Sequence, residues 1–493
     1  MIVSNKEIAK KLEDIFKELS NSEYHVNPFF RISKATPEQM KKYKFINSKF
    51  PRSIVFMYFF LSIPVNIVKL FIYLLCSVIF FHQYKTYKYQ INKNEILFLS
   101  HAIGENITKA DGDQFFALMP ENLHKKNQKI GILYTNHNLI GYYKNSKLLK
   151  LKGSEIDRHL IPKFLKPHEN INYLILIIPA SIRCLFHGLQ KFLSNPLDSI
   201  LLIKSSTTFY NRSTYSNYLV CQRVQKYCIK NGLNTLIMTF EGHSYEQYII
   251  EKINKNQPRL SFILYQHSPI VNDHFGVEYF LKTNTRDLIV LTTGLFYEKA
   301  LRNFSDIPKY QILGSSKAGT NFIDSVENLK TQVLFAPEGT TAATISFLKL
   351  MNYLCPINPE LLFSIRLHPN LKRNLIINSL MKKLDTKSNF SVSTYSLSED
   401  LKNSKFVFYR SSAVGVQALM SYAFPVFYGD SNDQGLNVLG EHLAVFPIAT
   451  NLKDAGHYLK TEPPFVSESE RIRLFDEIFS KIDYEILYSV LNI

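Results

Sequence analysis

From Glu95 onward, short apolar runs alternate with longer segments whose apolar residues recur at helical spacing. The runs ILFLSH (96–101), KIGILYTNH (129–137), LNTLIMTFEGH (233–243), LSFILYQHSP (260–269) and DLIVLTTG (287–294) each predict a buried parallel strand running into a polar loop. Segments between them, such as 217–230 and 245–255, predict helices. A turn-rich interval, GSSKAGTNFIDSVENLK (314–330), precedes a second alternating set: TQVLFAPEG, LLFSIRLHP, FSVST, KFVFYRSS, FPVFYGD and LAVFPIA. Strand and helix alternating in this way predict βαβ units and doubly wound parallel sheets.

Two such sets joined near residue 320, with a helical tail from Ser467, predict an α/β fold of GT-B layout: two Rossmann-like domains facing a cleft. The expected division is a helical, hydrophobic, membrane-associating extension (1–94), an N-terminal Rossmann-like acceptor domain (95–320) and a C-terminal Rossmann-like donor domain with its tail (321–493). Within the extension, SIVFMYFFLSIPVNIVKLFIYLLCSVIFF (53–81) is long enough to span a bilayer. Pro64, Asn66 and Lys69 near its middle oppose that, because a charge at bilayer depth costs about 2.5 to 3.5 kcal/mol on insertion scales. Lysines on both flanks give no orientation. Three placements stay open: helices lying in the membrane face, a buried helix and a span. A second stretch, Tyr173 to Phe192 with Pro179 and Arg183 inside it, extends the same apolar surface or is an ordinary buried helix.

The 493 residues are 46% hydrophobic and 20% charged, which excludes a disordered chain. A formal charge of +17, spread along the chain, favours anionic partners such as nucleotides and lipid headgroups. Nucleic acid is not expected, since no nucleic-acid-binding motif or Arg-rich tract is present. Five cysteines without a CxxC pair predict reduced, structural thiols. The opening MIVSNKEIAKKLEDIFKELS lacks the apolar core and cleavage site of a secretory signal, so a cytoplasmic location at the inner face of the plasma membrane is expected.

Ligands of open α/β sheets sit beyond the carboxyl ends of the strands, where helix N-termini offer N–H groups to anions. Arg366-Leu367-His368-Pro369 closes one predicted strand and Arg410-Ser411-Ser412 another, bringing cations, an imidazole and hydroxyls to one phosphate-sized site. Gly339 and Thr340, in the turn of APEGT, can cradle the same phosphate, although helix capping explains them equally. In the first set, Glu241 follows its strand directly, where a general base for a hydroxyl would stand; a helix-start carboxylate favoured by the macrodipole is the alternative. His243 and His267 join the same rim, and His101 and Asp113 are further candidates for binding an acceptor or orienting the base. No metal site is expected: HExxH and clustered Cys/His ligands are absent, and Asp111-Gly112-Asp113 matches DxD only as letters. The lack of GxGxxG weakens a dehydrogenase reading.

FEGHSYEQ (240–247), YQHSP (265–269), APEGT (336–340), RLHP (366–369) and YRSS followed by ALMSYAFPVFYG resemble bacterial surface-carbohydrate biosynthesis proteins of GT-B type. The His-Pro and Ser-Ser elements are similar to those of transferases using CMP-activated sialic acid or Kdo. The resemblance implies that His368, Ser411 and Ser412 bind the CMP phosphate and that Glu241 is the base. Where those transferases carry two acids before a glycine, this chain has Phe240-Glu241-Gly242. The implied activity is inverting, metal-independent sugar transfer from a nucleotide donor to a glycan or lipid-linked acceptor, with no cofactor. The rivals are a polyol-phosphate transferase of teichoic-acid type and a non-catalytic glycan-binding scaffold.

Overall fold

The fold is taken from a computed structural model. The structure describes residues 95–102, 112–136, 156–319 and 331–493 except 163, 193, 272–273, 285, 369–370, 373, 422, 431–432, 441–445 and 463–465; before residue 95 it describes scattered helical positions between 10 and 19 and between 60 and 79. Most of the expected extension, including Asn66 and Lys69, lies outside the described residues, as do Asp111, Pro369 and the joint at 320–330.

The first sheet contains β1 (Ile96–Ala102), β2 (Ile130–Asn136), β3 (Asp157–Leu160), β4 (Thr235–Thr239), β5 (Ser261–Tyr265), β6 (Ile289–Thr292) and β7 (Lys309–Ile312), in the order β3-β2-β1-β4-β5-β6-β7. Its helices are α1 (Met119–Lys125), α2 (Pro167–Gln190), α3 (Pro196–Thr208), α4 (Arg212–Asn231), α5 (Ser244–Asn256), α6 (Phe275–Thr283) and α7 (Leu295–Arg302). The second sheet contains β8 (Gln332–Ala336), β9 (Leu362–Ile365), β10 (Phe390–Val392), β11 (Ser404–Tyr409), β12 (Phe424–Tyr428) and β13 (Ile448–Ala449), in the order β10-β9-β8-β11-β12-β13. Its helices are α8 (Thr341–Ile357), α9 (Leu375–Leu384), α10 (Leu397–Asn403), α11 (Val414–Met420) and α12 (Leu452–Lys460), followed by the tail helices α13 (Glu468–Ile478) and α14 (Tyr484–Leu491).

Every pairing between these strands is parallel. Each sheet is wound outward in both directions from its first strand, so the two-sheet α/β fold expected from the sequence is present. The strands are apolar along their length because helices cover both faces. β4 and β8, for example, are buried almost throughout. Phe335 of β8 and Phe408 of β11 are register partners and stack at 5.2 Å, holding together the two strands at which the winding reverses. The edge strands β3 and β7, DRHL and KYQI, were not expected, since a half-covered edge needs no apolar run. Cys184, Cys221, Cys228 and Cys355 are buried thiols.

The tail ties the two sheets together. Arg471 on α13 donates to the carbonyls of Val466 and Leu419, fixing this helix to the second half. The chain then runs across the carboxyl ends of β6 and β7. Ser480 N donates to Thr293 O at 2.8 Å, and Asp483 N to Leu313 O at 2.8 Å. A Cβ on Gly294 would lie 2.4 Å from Glu477 O, and one on Gly314, whose φ is +96°, 2.3 Å from Lys481 O. α14 completes the return by placing Leu487 in the core under the first sheet.

Glu169 organises the helical layer of the first half. It caps α2 by accepting from Lys166 N at 2.7 Å, and it receives both terminal nitrogens of Arg223 on α4 at 2.8 and 2.7 Å. Lys226 adds a second cationic partner. These contacts hold its carboxyl down to about 2, against the opposing effect of burial. Arg223→Ala leaves the buried Glu169 carboxylate with the half-exposed Lys226 as its remaining cation, so it is expected to lower the unfolding free energy by about 3 kcal/mol. Urea unfolding of the two proteins measures this; an unchanged midpoint would contradict it.

Candidate functional site

In the first sheet the winding reverses between β1 and β4, and the residues leaving those strands form a connected cluster. His101 faces Thr135 in the β1–β2 register, and its Nδ1 lies 2.5 Å from Thr135 Oγ1. His101 Nε2 lies 3.0 Å from both Thr239 Oγ1 and the Tyr245 hydroxyl. His101 is therefore a buried clasp joining the ends of β1, β2 and β4 to the start of α5. Asp113 is spent on the chain itself: its Oδ1 accepts from Ser100 Oγ and from the backbone N–H groups of Phe115 and Phe116 at 2.8 to 3.0 Å. The turn it secures presents Phe115, whose ring meets those of His101 and His267 edge-on at 5.2 and 4.9 Å.

Glu241 stands at the centre of this rim. Its Oε2 lies 2.9 Å from His243 Nε2 and its Oε1 3.3 Å from His267 Nε2, so two imidazoles bracket one partly exposed carboxylate. The turn that delivers it requires glycine, because Gly242 has a φ of +71° and a Cβ there would lie 2.4 Å from Val277 N. The helix-start role left open for Glu241 belongs to Glu246. That fully buried side chain accepts from His243 N at 2.9 Å, closing the first turn of α5, and from Glu241 N at 3.1 Å. Burial, reinforced by the nearby Glu241 charge, pushes the Glu246 carboxyl up to about 7. Among the described residues no group of three or more His, Cys, Asp and Glu is placed to hold a metal ion.

The second sheet reverses between β8 and β11. The turn after β8 reaches both neighbouring strand ends. On the β9 side a Cβ on Gly339 would stand 2.9 Å from the His368 ring, so glycine is what lets the imidazole lie against the turn. On the β11 side Arg410 is buried between two carboxylates, with Nε 3.6 Å from Glu338 Oε2 and Nη2 3.4 Å from Asp433 Oδ2. Ser411 follows in a left-handed conformation, φ +48°, and its buried Oγ has no hydrogen-bond partner among the described residues. Ser412 and Ala413 lead into α11, whose Gly415 packs against the Tyr409 ring; a Cβ there would come within 2.7 Å.

His368, Gly339, Ser411 and Ser412 are thus placed at neighbouring strand ends, as their positions in the sequence implied. The two arginines are committed differently. Arg366 turns toward β10, donating to Asp400 Oδ2 at 2.7 Å and to Tyr395 O at 2.8 Å; Arg410 holds the β8 and β11 ends together. Thr340 caps α8, accepting from Ala343 N at 3.3 Å. Sequence reasoning missed Glu246, Glu338, Asp433 and Lys317. Lys317 donates from Nζ to His267 O at 3.1 Å and lies over the Phe479 ring, linking the Glu241 rim to the tail. Only Glu246 had a local signal, its place three residues after the His243 N-cap.

The raised Glu246 carboxyl fixes the sign of a pH effect. Between about 4.5 and about 7 the folded chain holds a proton that the unfolded chain has lost, so stability falls as pH rises through this window. The full difference is on the order of 3 kcal/mol. Glu246→Gln keeps an acceptor for the turn and cannot ionise. Urea unfolding at about pH 5 and about pH 8 is expected to show a loss for the wild type that the variant lacks; parallel losses would contradict the assignment.

No family model matches the chain, and no curated protein matches it. Among solved structures it is similar to the S. aureus MnaA–UDP complex, at 9% identity over 81% of this chain and 97% of that one, with a TM-score of 0.48. It is also similar to a UDP-GlcNAc 2-epimerase from Neisseria meningitidis bound to UDP-GlcNAc, at 9% identity over 81% of this chain and 100% of that one, TM-score 0.47. A glycosyltransferase from Rickettsia africae ESF-5 matches at 10% identity over 81% and 99% of the respective chains, TM-score 0.44. The strand orders of the two sheets, rather than these likenesses, establish the fold.

Proposed function

We propose that the chain is an inverting, metal-independent glycosyltransferase of bacterial surface-glycan biosynthesis, taking a sugar from a nucleotide donor to a glycan or lipid-linked acceptor at the inner membrane face. The observation that carries the donor half is Ser411, a strained residue at the reversal point of the second sheet whose buried hydroxyl has no hydrogen-bond partner among the described residues. The Ser411 hydroxyl, Ser412, the turn at Gly339 and the His368 imidazole would hold the donor phosphate. Arg410 would position Ser411 rather than neutralise the phosphate, because Glu338 and Asp433 already balance its charge. A CMP-linked donor is the choice favoured by the resemblance of the His-Pro and Ser-Ser elements.

Glu241 would accept the proton of the acceptor hydroxyl as that oxygen attacks the anomeric carbon. The carbon–oxygen bond to the phosphate breaks in the same displacement, and the nucleotide leaves with the electron pair. His368 would donate a hydrogen bond to that phosphate as its charge grows. His243 and His267 keep the Glu241 carboxylate directed into the rim, and His101 and Tyr245 fix the strand ends beneath it.

Two measurements test this reading. In a thermal-shift panel of CMP, CDP, UDP and GDP, CMP at a hundredfold excess over its Kd is expected to stabilise the fold by about 2.7 kcal/mol. Stabilisation by UDP or GDP instead would overturn the CMP choice. Loss of a general base costs about 10²- to 10⁴-fold in turnover. Glu241→Gln is therefore expected to lose donor turnover by that factor while keeping its nucleotide-induced shift. Full activity in the variant would remove Glu241 from the mechanism.

A further inference from the structure

α2 carries an apolar stripe on its outer face that is exposed among the described residues. Ile171, Ile175, Ile178, Ile182, Phe186 and Leu189 recur at spacings of three and four, and all are exposed, Ile175 at 67% and Ile182 and Phe186 at 58%. At 1.5 Å per residue the stripe is about 27 Å long. A contiguous exposed strip of this kind marks a contact surface.

The opposite face of α2 is fastened to protein along its length, so the helix can neither turn its stripe inward nor enter a bilayer as a free span. Tyr173 donates to Phe209 O at 2.9 Å, Ser181 to Ser206 O at 3.0 Å, and Gly188 packs against Leu202 and Ile203 of α3. Glu169 and Arg223 clamp its first turn. What remains is a helix able to lie flat on a surface.

Charge selects the occupant. The only carboxylate of α2 is Glu169, which is buried, whereas Lys166, His168, Arg183 and His187 are exposed on or beside the helix. An apolar stripe with Lys166 and Arg183 exposed beside it and no exposed acid on its helix complements an anionic lipid surface, and the chain as a whole carries +17. The described helical positions between 60 and 79 expose further large apolar side chains, among them Phe60, Leu61, Phe71 and Ile72.

We infer that α2 docks in the plane of an anionic bilayer, with its isoleucines in the headgroup–acyl boundary and Arg183 and His187 at the phosphates. This deepens the proposed membrane-face reaction by naming the surface of contact. The test is flotation of the full chain with phosphatidylcholine vesicles, with and without a minority of phosphatidylglycerol, for the wild type and for Ile175→Asp combined with Ile182→Asp. Salt-sensitive binding to the anionic vesicles is expected, and the double variant is expected to weaken it about tenfold or more. Ile175→Ser combined with Ile182→Ser adds no charge and should give a smaller loss in the same direction, with an unchanged melting curve in both cases. Equal flotation of wild type and variants would overturn the inference. So would a wild-type dimer that the variants dissolve, since the stripe would then cover a second copy. Nucleotide-induced stabilisation is read separately, so failure of docking leaves the donor-site reading intact and failure of the donor site leaves docking intact.

Discussion

All strands in both sheets run parallel, and this single constraint places the chemistry. Parallel strands send their carboxyl ends to one edge, and outward winding from the first strand opens a gap there between β1 and β4 and again between β8 and β11. Backbone leaving the strands at these gaps is not fully paired by the sheet, so side chains must organise it. In the first sheet His101 does so, linking three strand ends through hydroxyls. In the second sheet Arg410 does so through two carboxylates. In sequence Arg410 reads as a cation for the donor phosphate and His101 as a group for the acceptor or the base, and the fold uses both as fasteners.

With the frame held in this way, the groups nearest to it keep their placement. Glu241 projects from a glycine turn that another side chain could not enter, while Glu246 beneath it takes over the capping of α5. Ser411 is held in a left-handed conformation with its hydroxyl buried. The tail joins these two regions mechanically. Its backbone hydrogen-bonds to the ends of β6 and β7, Lys317 reaches from His267 O to the Phe479 ring, and α13 remains anchored to the second half through Arg471.

Much of the fold was legible because strands buried on both faces must be apolar throughout, and runs such as LIMT and VLFA carry that signal without ambiguity. DRHL and KYQI escaped because edge strands are relieved of that demand. Site residues at strand ends could be located for the same reason: the end of an apolar run is visible. Their partners could not. Asp400 and Asp433 lie far along the chain from Arg366 and Arg410, and only the crossing of strands brings them together, so the sequence reads as two free arginines where the fold has ion pairs. The exposed stripe of α2 was visible as an apolar stretch, yet which side faced the protein depended on α3 and α4.

The central claim is that a nucleotide phosphate binds where β8, β9 and β11 end. It is tested most directly by calorimetric titration of CMP into the wild type, Ser411→Ala and His368→Ala. Losing one charge-assisted hydrogen bond to the phosphate should weaken binding about tenfold or more in each variant, with the melting temperature of the free protein little changed. Wild-type affinity in both variants would place the nucleotide elsewhere and contradict the claim.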